Sequence, residues 1–469
     1  MKILMAFFIS VCSFANHPSY DPVNKIEIDE KYKVESTFSG NTVGNDSFHL
    51  IIAKNGDTKD YDVIPYLFKD NHIVKLKTFS FDKQPVILSF HNAKDKLSLL
   101  TQSKVGSSEF INIIDVDLIS GNYVKSDNIA TEDFKALIRK KDKNLIVFSD
   151  KKSVRIIEAK DANTVQTITV SSDASSAEFL ASLSENSVEA INNDEFVSNG
   201  SISTFRAYSD GDKVIITEEN TKEATTNALQ IPLNQDNEVS AQFKTFGGKT
   251  KDSKIKKSTS YINNDKLYQL KIGKEEGQLN VFGLNDAYNS SVNILEVKPT
   301  KHAEGFKSIK DFVKNASKKF NEPTVTINST KNGKLKVRFD FVNKNLYNYH
   351  YNWWWHHQWH MQQMQHFQMI NQQQMRNSIP SFGPSEPVDY FFVAQEHSFF
   401  EITLDLAGKI VEDENDESVY PYLNKKTYIK PLNDNKKLKH TSTVFTQDNF
   451  RYIAYDKRNK SFNIINKAL

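Results

Sequence analysis

The residues best suited to chemistry lie together in one uncharged segment, Tyr347–Met375. It contains all four tryptophans of the chain, five of its twelve histidines and every methionine after residue 5. No Lys, Arg, Asp or Glu occurs between Lys344 and Arg376, although a quarter of all residues in the chain are charged. A block this rich in imidazole, thioether and indole groups could bind a soft metal ion or a partner surface.

Metal binding would depend on the spacing of the histidines and methionines. The segment lacks Gly and Pro, and its Gln and Met residues are good helix formers. In a helix, His356, His360 and Met364 lie at i, i+4 and i+8, with His357 and Met361 in the adjoining column. Thioether selects Cu(I) and imidazole accepts Cu(II), whereas a segment without carboxylates offers nothing to Ca²⁺ or Mg²⁺. One hypothesis is therefore a copper site, and the composition resembles the Met/His-rich loops of bacterial periplasmic copper-handling proteins.

The aromatic residues of the same segment indicate a different function, which is contact with a partner. Three adjacent tryptophans cannot share one face of a helix or strand, and each buries ~150–250 Å² when it is covered. Trp and Tyr are enriched at interfaces because they combine apolar area with a hydrogen-bonding tip. We expect a protein or glycan partner of the cell envelope, or a membrane surface, to be contacted by Tyr349, Tyr351, Trp353, Trp354, Trp355 and Trp359. The alternative is that these side chains pack on the protein's own surface.

The flanking sequence predicts that this segment is an insertion between two strands of one sheet. Thr324–Asn328 and Leu335–Phe341 alternate apolar and polar residues on either side of Asn332-Gly333, which is typical of a β-hairpin. β-type sequence resumes at Val388–Val393, after a Pro-containing stretch. We therefore predict a low-complexity insertion at residues 343–387.

One short helix is predicted just before this hairpin, over residues 308–320. Ile309, Phe312, Val313 and Ala316 recur at helical spacing, and Ser308 is suited to be the N-cap.

Most of the remaining chain repeats one β-type outline. The sequence DKNLIVFSDKKSVRIIEAK from Asp142 resembles DNFRYIAYDKRNKSFNIIN from Asp448: each has an apolar strand, a charged turn and a second apolar strand. Four candidate strands fall between Phe134 and Val170. Units of roughly 40–60 residues are typical of propeller blades. The sequence predicts an all-β, mainly antiparallel fold with a β-propeller-like repeat of about six or seven units; a pair of β-sandwich domains is the alternative.

The first fifteen residues, MKILMAFFISVCSFA, have the plan of a secretory signal. A single Lys precedes an apolar run from Ile3 to Cys12, and small residues stand before a cut after Ala15. We predict a signal peptide at 1–15, a linker at 16–24 and the propeller-like domain at 25–469. Cys12 is the only cysteine, which favours an exported bacterial protein of the periplasm, cell surface or medium. A lipoprotein acylated at Cys12 is the alternative, despite the poorly matching residues before it.

Charge and motifs argue against several classes of function. The chain has 60 basic and 58 acidic residues, and because they are interspersed we expect no nucleic-acid partner. No stretch approaches the ~20 apolar residues of a membrane-spanning helix. No G-x-S-x-G, H-E-x-x-H or Gly-rich phosphate motif occurs. We therefore predict a non-catalytic binding or scaffold protein of the bacterial envelope; periplasmic copper binding and hydrolysis of extracellular polymers are the alternatives.

Overall fold

The computed structural model of this chain shows a protein built almost entirely from β-strands. It divides into two compact units, Met1–Gln84 with Lys425–Leu469, and Pro85–Asn424. The predicted signal peptide and most of the predicted linker lie outside the described residues. The structure describes residues 24–42, 44–70, 72–93, 95–106, 108–194, 197, 200–233, 237–249, 254–299, 301–302, 306–343, 399–411, 417–419, 428–429, 431–432, 435 and 438–469.

Thirty-two strands and two α-helices fall within these ranges. The first fifteen strands are β1 (Asn24–Glu27), β2 (Tyr32–Asn41), β3 (Ser47–Asn55), β4 (Tyr61–Lys69), β5 (His72–Lys75), β6 (Phe79–Phe81), β7 (Val86–Ala93), β8 (Lys96–Val105), β9 (Ser108–Asp117), β10 (Tyr123–Lys125), β11 (Ile129–Ala130), β12 (Phe134–Arg139), β13 (Asn144–Ser149), β14 (Ser153–Ala159) and β15 (Val165–Ser171). Helix α1 (Ala177–Glu185) follows. The remaining elements are β16 (Val188–Ile191), β17 (Phe205–Asp210), β18 (Lys213–Asn220), β19 (Thr225–Pro232), β20 (Asn237–Glu238), β21 (Gln242–Gly247), β22 (Ile255–Asn263), β23 (Lys266–Gly273), β24 (Gly277–Gly283), β25 (Asn289–Asn293), β26 (Lys301–His302), α2 (Ile309–Ala316), β27 (Asn321–Ser329), β28 (Leu335–Asn343), β29 (Phe400–Leu404), β30 (Lys439–Phe445), β31 (Asn449–Asp456) and β32 (Ser461–Ala468).

The first unit contains two sheets. One runs β2-β3-β4-β5, with β6 also pairing with β4, and the other runs β1-β32-β31-β30. In the second sheet the first strand of the described chain pairs antiparallel with the last strand, from Asn24↔Ile464 to Glu27↔Ser461. This sheet is therefore completed by residues from opposite ends of the sequence.

The second unit contains five sheets in the described part of the chain. Their strand orders are β10-β9-β8-β7 with β11, β12-β13-β14-β15-β20, β16-β17-β18-β19-β21, β22-β23-β24-β25 and β26-β29-β28-β27. All pairings are antiparallel except β15 with β20 and β16 with β17. The described chain thus has seven sheets of four or five strands, each the size of a propeller blade. The prediction of an all-β, mainly antiparallel, propeller-like repeat is confirmed.

The two similar sequences, which start at Asp142 and Asp448, form matching hairpins, β13–β14 and β31–β32. In the first turn, Asp150 accepts hydrogen bonds from the backbone N–H groups of Lys152 (2.7 Å) and Ser153 (2.6 Å). In the second, Asp456 accepts one from the N–H of Arg458 (2.8 Å). These bonds hold the pKa of both carboxyl groups below the usual range. An Asp at this position favours the turn because its carboxylate satisfies backbone N–H groups two residues on.

Helix α2 lies before the predicted hairpin and is shorter than residues 308–320. The Ser308 hydroxyl accepts a hydrogen bond from the N–H of Asp311 (3.2 Å), so Ser308 is the N-cap. The helix ends at Ala316. The buried ammonium of Lys257 donates a hydrogen bond to the carbonyl of Lys318 (2.7 Å). This bond satisfies a carbonyl between the end of α2 and the start of β27.

Helix α1 is absent from the sequence-based prediction. It begins after Asp173, whose carboxylate accepts hydrogen bonds from the backbone N–H groups of Ser175 (3.0 Å) and Ser176 (2.8 Å). Phe179, Leu180 and Leu183 are buried on its inner face. The spacing of these three residues and the preceding Asp are the local signals that could have predicted the helix.

Candidate functional site

The predicted site residues all lie in one part of the chain that falls outside the described residues. They are the predicted contact residues Tyr349, Tyr351, Trp353, Trp354, Trp355 and Trp359, and the predicted metal ligands His356, His357, His360, Met361 and Met364. The structure does describe the two strands between which this segment is inserted, and we therefore describe their anchoring first.

The insertion leaves and rejoins the chain within one sheet. It follows β28, which pairs with β27 over nine residue pairs from Asn321↔Asn343 to Ser329↔Leu335. It precedes β29, which pairs with the other edge of β28 over five residue pairs. Phe339 of β28 lies opposite Val325 on one side and Phe400 on the other. The insertion thus begins at the end of β28 and ends just before β29, and these two strands are hydrogen-bonded neighbours in one sheet.

An aromatic cluster packs beside these attachment points. The ring of Phe400 stacks on Phe339 at a centroid distance of 4.6 Å and meets the edge of Phe312 from α2 at 4.8 Å. Phe306 extends the cluster, at 5.4 Å from Phe312 and 5.7 Å from Phe341. Phe339 and Phe400 are 0% and 2% exposed. A cluster this well buried makes the base of the insertion a rigid part of the core.

An apolar groove of about 350 Å³ lies next to the same cluster. Phe306, Phe312 and Phe400 contribute to its wall, and Lys307 and Lys310 also line it. The groove therefore combines aromatic surface with two ammonium groups at the start of α2.

The opposite face of β28 carries buried charge. The guanidinium of Arg338 lies 3.5 Å from the ring centroid of Phe399 and its Nη1 is 4.0 Å from Glu401 Oε1. Asp340 is 1% exposed, and burial raises its pKa to about 7, although the Arg338 charge and the backbone N–H of Phe341 act in the opposite direction. The base of the insertion thus contains a carboxyl group that titrates near neutral pH.

A second candidate site is a polar cavity of about 220 Å³ within the second unit. It is formed where five strands end: β12, β16, β17, β22 and β27 each contribute residues at or just after their last position. Among the described residues the lining is polar, and its functional groups include Lys140, Asp194, Ser209, Asp210, Asn263 and Asn328.

Two asparagines hold the wall of this polar cavity in place. Asn193 Oδ1 accepts a hydrogen bond from the hydroxyl of Tyr261 (2.7 Å), and its Nδ2 donates to the carbonyl of Ile262 (3.0 Å). Asn328 Oδ1 accepts from the N–H of Val197 (3.1 Å), and its Nδ2 donates to the carbonyl of the same residue (2.9 Å). Both side-chain amides are therefore used to fix the loops that enclose the cavity.

Other groups of the cavity have fewer partners. Asn263 is 7% exposed, and its Oδ1 is buried without a hydrogen bond to any described residue, as is the hydroxyl of Ser209. Asp210 Oδ2 accepts a hydrogen bond from the N–H of Asp265 (2.6 Å). Burial raises the pKa of Asp210 above its usual range, and the nearby carboxylate of Asp265 adds to the effect. The Asn263 Oδ1 and the Ser209 hydroxyl have almost no accessible surface, so they are enclosed by protein atoms rather than open to the cavity.

The polar cavity is not predicted by sequence reasoning. Its residues are Asn, Asp, Ser and Gly at strand ends, and these residue types occur in turns whether or not a ligand is bound. The convergence of five strand ends on one cavity depends on tertiary structure. The orphaned Asn263 Oδ1 is likewise visible only in the folded chain.

Two absences concern the described residues alone. No group of three or more His, Cys, Asp or Glu side chains in them is placed to hold a metal ion. Neither α-helix that the structure describes has the length and apolar character needed to cross a membrane.

Comparison with known proteins finds remote matches among solved structures. No protein-family profile and no curated protein sequence matches the chain. A prolyl endopeptidase structure matches at 8% identity with a TM-score of 0.34, over 93% of this chain and 50% of that one, so the chain spans about half its length. The β-propeller domain of the trilobed protease from Pyrococcus furiosus matches at 10% identity and a TM-score of 0.28, over 66% and 82% of the two chains. The WD40 domain of SCAP from fission yeast matches at 6% and 0.26, over 68% and 88%.

Proposed function

We propose that this chain is a non-catalytic binding or scaffold protein that contacts its partner through the Trp/His/Met/Gln-rich insertion. The observation that carries the proposal is that the insertion connects β28 to β29, two strands that pair with each other and with β27 and β26 in one sheet. A large aromatic segment inserted at this point is attached to buried, fully paired strands. The sheet therefore provides a rigid base from which the segment can be presented to another molecule.

The aromatic cluster beside β28 and β29 supports the proposal that the sheet is the scaffold and the insertion is the part that contacts the partner. Phe339, Phe400 and Phe312 bury their rings against one another. The described ring contacts of this cluster are made by residues that lie outside Tyr347–Met375 in the sequence. We therefore expect residues of the insertion to be replaceable without loss of the sheet, which is the property of a binding segment rather than of a core element.

The composition of the insertion specifies the kind of partner. It has no Lys, Arg, Asp or Glu from residue 345 to residue 375, and imidazole is mostly uncharged above pH 7, so we expect charge pairing to contribute little to the affinity there. Indole and phenol rings bind through apolar area, stacking and single hydrogen bonds. The partner surface should therefore be an apolar protein patch or a glycan, and binding should depend only weakly on salt.

Export is part of the same proposal. The plan of residues 1–15 and the absence of cysteine after Cys12 support a bacterial envelope or extracellular location. A cell-envelope extract of the source organism is therefore the appropriate pool of partners.

The experiment compares the intact protein with two matched triple variants. Trp353, Trp354 and Trp355 are changed to Ala in one, and Gln372, Gln373 and Gln374 are changed to Ala in the control. Each protein is immobilised and used to capture partners from the envelope extract at 0.1 M and 0.5 M salt (about 10 Å and 4 Å Debye length). We expect the tryptophan variant to lose the partners that the intact protein and the glutamine control retain at both salt concentrations. Identical partners for all three proteins would contradict the proposal.

Copper binding by the same segment is the second proposal, and the observation in its favour is the helical spacing of His356, His360 and Met364. The test is titration of a peptide spanning Asn345–Ser378 with Cu(I) and Cu(II). Affinity above that of a scrambled peptide supports the site, and equal affinity removes it.

A further inference from the structure

We infer that Asn332 is a site of spontaneous deamidation, the conversion of its side-chain amide to a carboxylate, and that the fold protects Asn55, the other described asparagine that precedes a glycine. The chain contains three Asn-Gly dipeptides, at residues 55–56, 199–200 and 332–333. Glycine lacks Cβ, so its backbone nitrogen can approach the preceding asparagine side chain without steric hindrance. The structure describes both residues of the first and third dipeptides, which differ in exposure and in hydrogen bonding. The inference is independent of the proposed function.

The reaction needs only the chain and water. The backbone nitrogen of Gly333, after losing its proton to solvent, attacks the side-chain carbonyl carbon Cγ of Asn332. The bond from Cγ to Nδ2 breaks, and the leaving nitrogen takes up a proton and departs as ammonia, which leaves a cyclic succinimide. Water then opens the ring at the side-chain carbonyl to give aspartate, or at the main-chain carbonyl to give isoaspartate. The net change is amide plus water to carboxylate plus ammonium.

Asn332 lies at the tip of the β27–β28 hairpin, where this attack is open. Lys331, Asn332 and Gly333 are all exposed, and the side chain of Asn332 makes no hydrogen bond to a residue that the structure describes. The N–H of Gly333 donates to the carbonyl of Thr330 (3.0 Å). The attacking nitrogen is therefore restrained by one hydrogen bond in an exposed turn.

Asn55 shows the opposite arrangement. It is 7% exposed, and both ends of its side-chain amide are bonded: Nδ2 donates to Asp62 Oδ2 (3.0 Å), and Oδ1 accepts from the N–H of Asp57 (3.0 Å). The N–H of Gly56 donates to the carbonyl of Lys31 (2.8 Å). Succinimide formation at Asn55 therefore requires the loss of three hydrogen bonds and the opening of a buried site.

The two sites should react at different rates for this reason. The net contribution of one hydrogen bond corresponds to roughly a fivefold change in an equilibrium constant. The reactive conformation of Asn55 breaks two more hydrogen bonds than that of Asn332, so it should be about 25-fold less populated. Burial of Asn55 acts in the same direction, because the side chain must leave its packed position before it can react.

Deamidation at Asn332 changes a turn that binds another part of the chain. The N–H of Lys331 donates to the carbonyl of Glu417 (2.8 Å), and the Lys331 ammonium lies 2.6 Å from the Glu417 carboxylate. A carboxylate at position 332 lies next to Lys331 in sequence and competes with Glu417 for its ammonium. Isoaspartate also adds a methylene group to the backbone of the loop, which disturbs the pairing of Thr330 with Lys334.

The test ages the full chain at pH 8 and at pH 6, and digests samples with pepsin in acid, where the reaction is slow. Mass spectrometry with electron-transfer fragmentation then locates aspartate and isoaspartate. We expect both products at Asn332, more at pH 8 because the attacking nitrogen must lose its proton, and a rate at Asn55 about 25-fold lower. Asn289 on the exposed strand β25 is followed by serine, so this matched internal control should react more slowly than Asn332.

Unfolding in urea separates the effect of sequence from that of structure. Asn55 and Asn332 should then react at similar rates, because both dipeptides lose the contacts that distinguish them. Equal rates at the two sites in the folded chain would overturn the inference. It would also be overturned if Asn332 reacted only in the unfolded chain, because the turn itself would then block the attack.

Two variants test the effect on the turn. Asn332→Asp creates the aspartyl product directly, and Asn332→Gln is the neutral control. Hydrogen exchange at the N–H of Lys331 should be about fivefold faster in Asn332→Asp than in Asn332→Gln, the effect of weakening one contact. Equal exchange in the two variants would contradict the competition with Glu417.

Discussion

His49 should make the first unit sensitive to acid. This histidine on β3 is 0% exposed, its Nδ1 lies 2.7 Å from the hydroxyl of Ser39, and its Nε2 lies 3.2 Å from that of Ser47. Arg451 Nη1 donates to the same Ser47 hydroxyl (2.6 Å). Burial, with the positive charge of Arg451, lowers the pKa of His49 to about 3. The folded unit therefore holds a neutral imidazole at a pH where the unfolded chain is protonated.

The size of the effect follows from the two pKa values. The unfolded chain has a histidine pKa of about 6.5, so it binds more protons than the folded chain at every pH between about 6.5 and 3. The contribution of the neutral His49 side chain to the free energy of unfolding is complete above about pH 6.5 and is lost as the pH falls. At about 1.36 kcal/mol per pH unit, the free energy of unfolding falls by roughly 2 kcal/mol at pH 5 and by roughly 4 kcal/mol at pH 3.

The assay is urea unfolding from pH 7.5 to pH 4, with hydrogen exchange of peptides from Ser47–Asn55 to locate the change. His49→Gln should be less stable than the intact protein at pH 7.5, because it loses a fitted buried side chain. The difference should shrink by about 2 kcal/mol by pH 5. Ser442→Ala is the control: it removes the hydroxyl 2.7 Å from Ser39 without removing a titratable group, so its effect should not depend on pH. A constant difference for His49→Gln, or an imidazole NMR titration near pH 6.5, would refute the reasoning.

Three further predictions concern other groups. Asp340→Asn should raise the free energy of unfolding by up to about 4 kcal/mol at pH 8 and by little at pH 4. The reason is that a carboxyl group whose pKa is raised in the folded state destabilises the fold only above the pKa it has in the unfolded chain. Equal gains at both pH values in urea unfolding would contradict this. Arg206→Met should lower the free energy of unfolding by about 3–5 kcal/mol, because it leaves the carboxylate of Glu219, which lies 3.4 Å from the guanidinium, buried without its ion-pair partner. The double variant with Glu219→Gln should recover part of this loss in urea unfolding; no recovery would show that lost packing rather than the unpaired charge causes it. Mass spectrometry of the exported protein should find Asn16 at its N-terminus, whereas a lipid on Cys12 or an intact Met1 would contradict the predicted cut.

The strands were predictable because their determinants are local. The alternating residues of β27 and β28 and the turn at Asn332-Gly333 specify that hairpin before any tertiary contact forms. Asp150 and Asp456 likewise fix the turns of two distant hairpins through bonds to their own neighbours. Because the same outline recurs along the chain, the repeat and the all-β class follow from these local signals.

Features that depend on distant pairing were not predictable in the same way. β1 pairs with β32, at the other end of the described chain, and the four residues of Asn24–Glu27 do not indicate which strand they pair with. The parallel pairing of β16 with β17 depends on the intervening loop, whose Val197 is held by Asn328 from another sheet. The polar cavity arises from the same kind of convergence, so its turn-forming residues carry no distinctive local pattern.

The most direct test of partner binding through the insertion uses its tryptophans as reporters. All four tryptophans of the chain lie between residues 353 and 359, so 5-fluorotryptophan labelling gives ¹⁹F NMR signals from this segment alone. The labelled protein is mixed with unlabelled envelope extract, in which no other molecule carries fluorine. We predict that the signals shift or broaden on addition of extract, to the same extent in the Gln372/Gln373/Gln374→Ala control and at either salt concentration. Unchanged signals in the presence of extract that the intact protein captures would contradict the account, because the partner would then bind elsewhere.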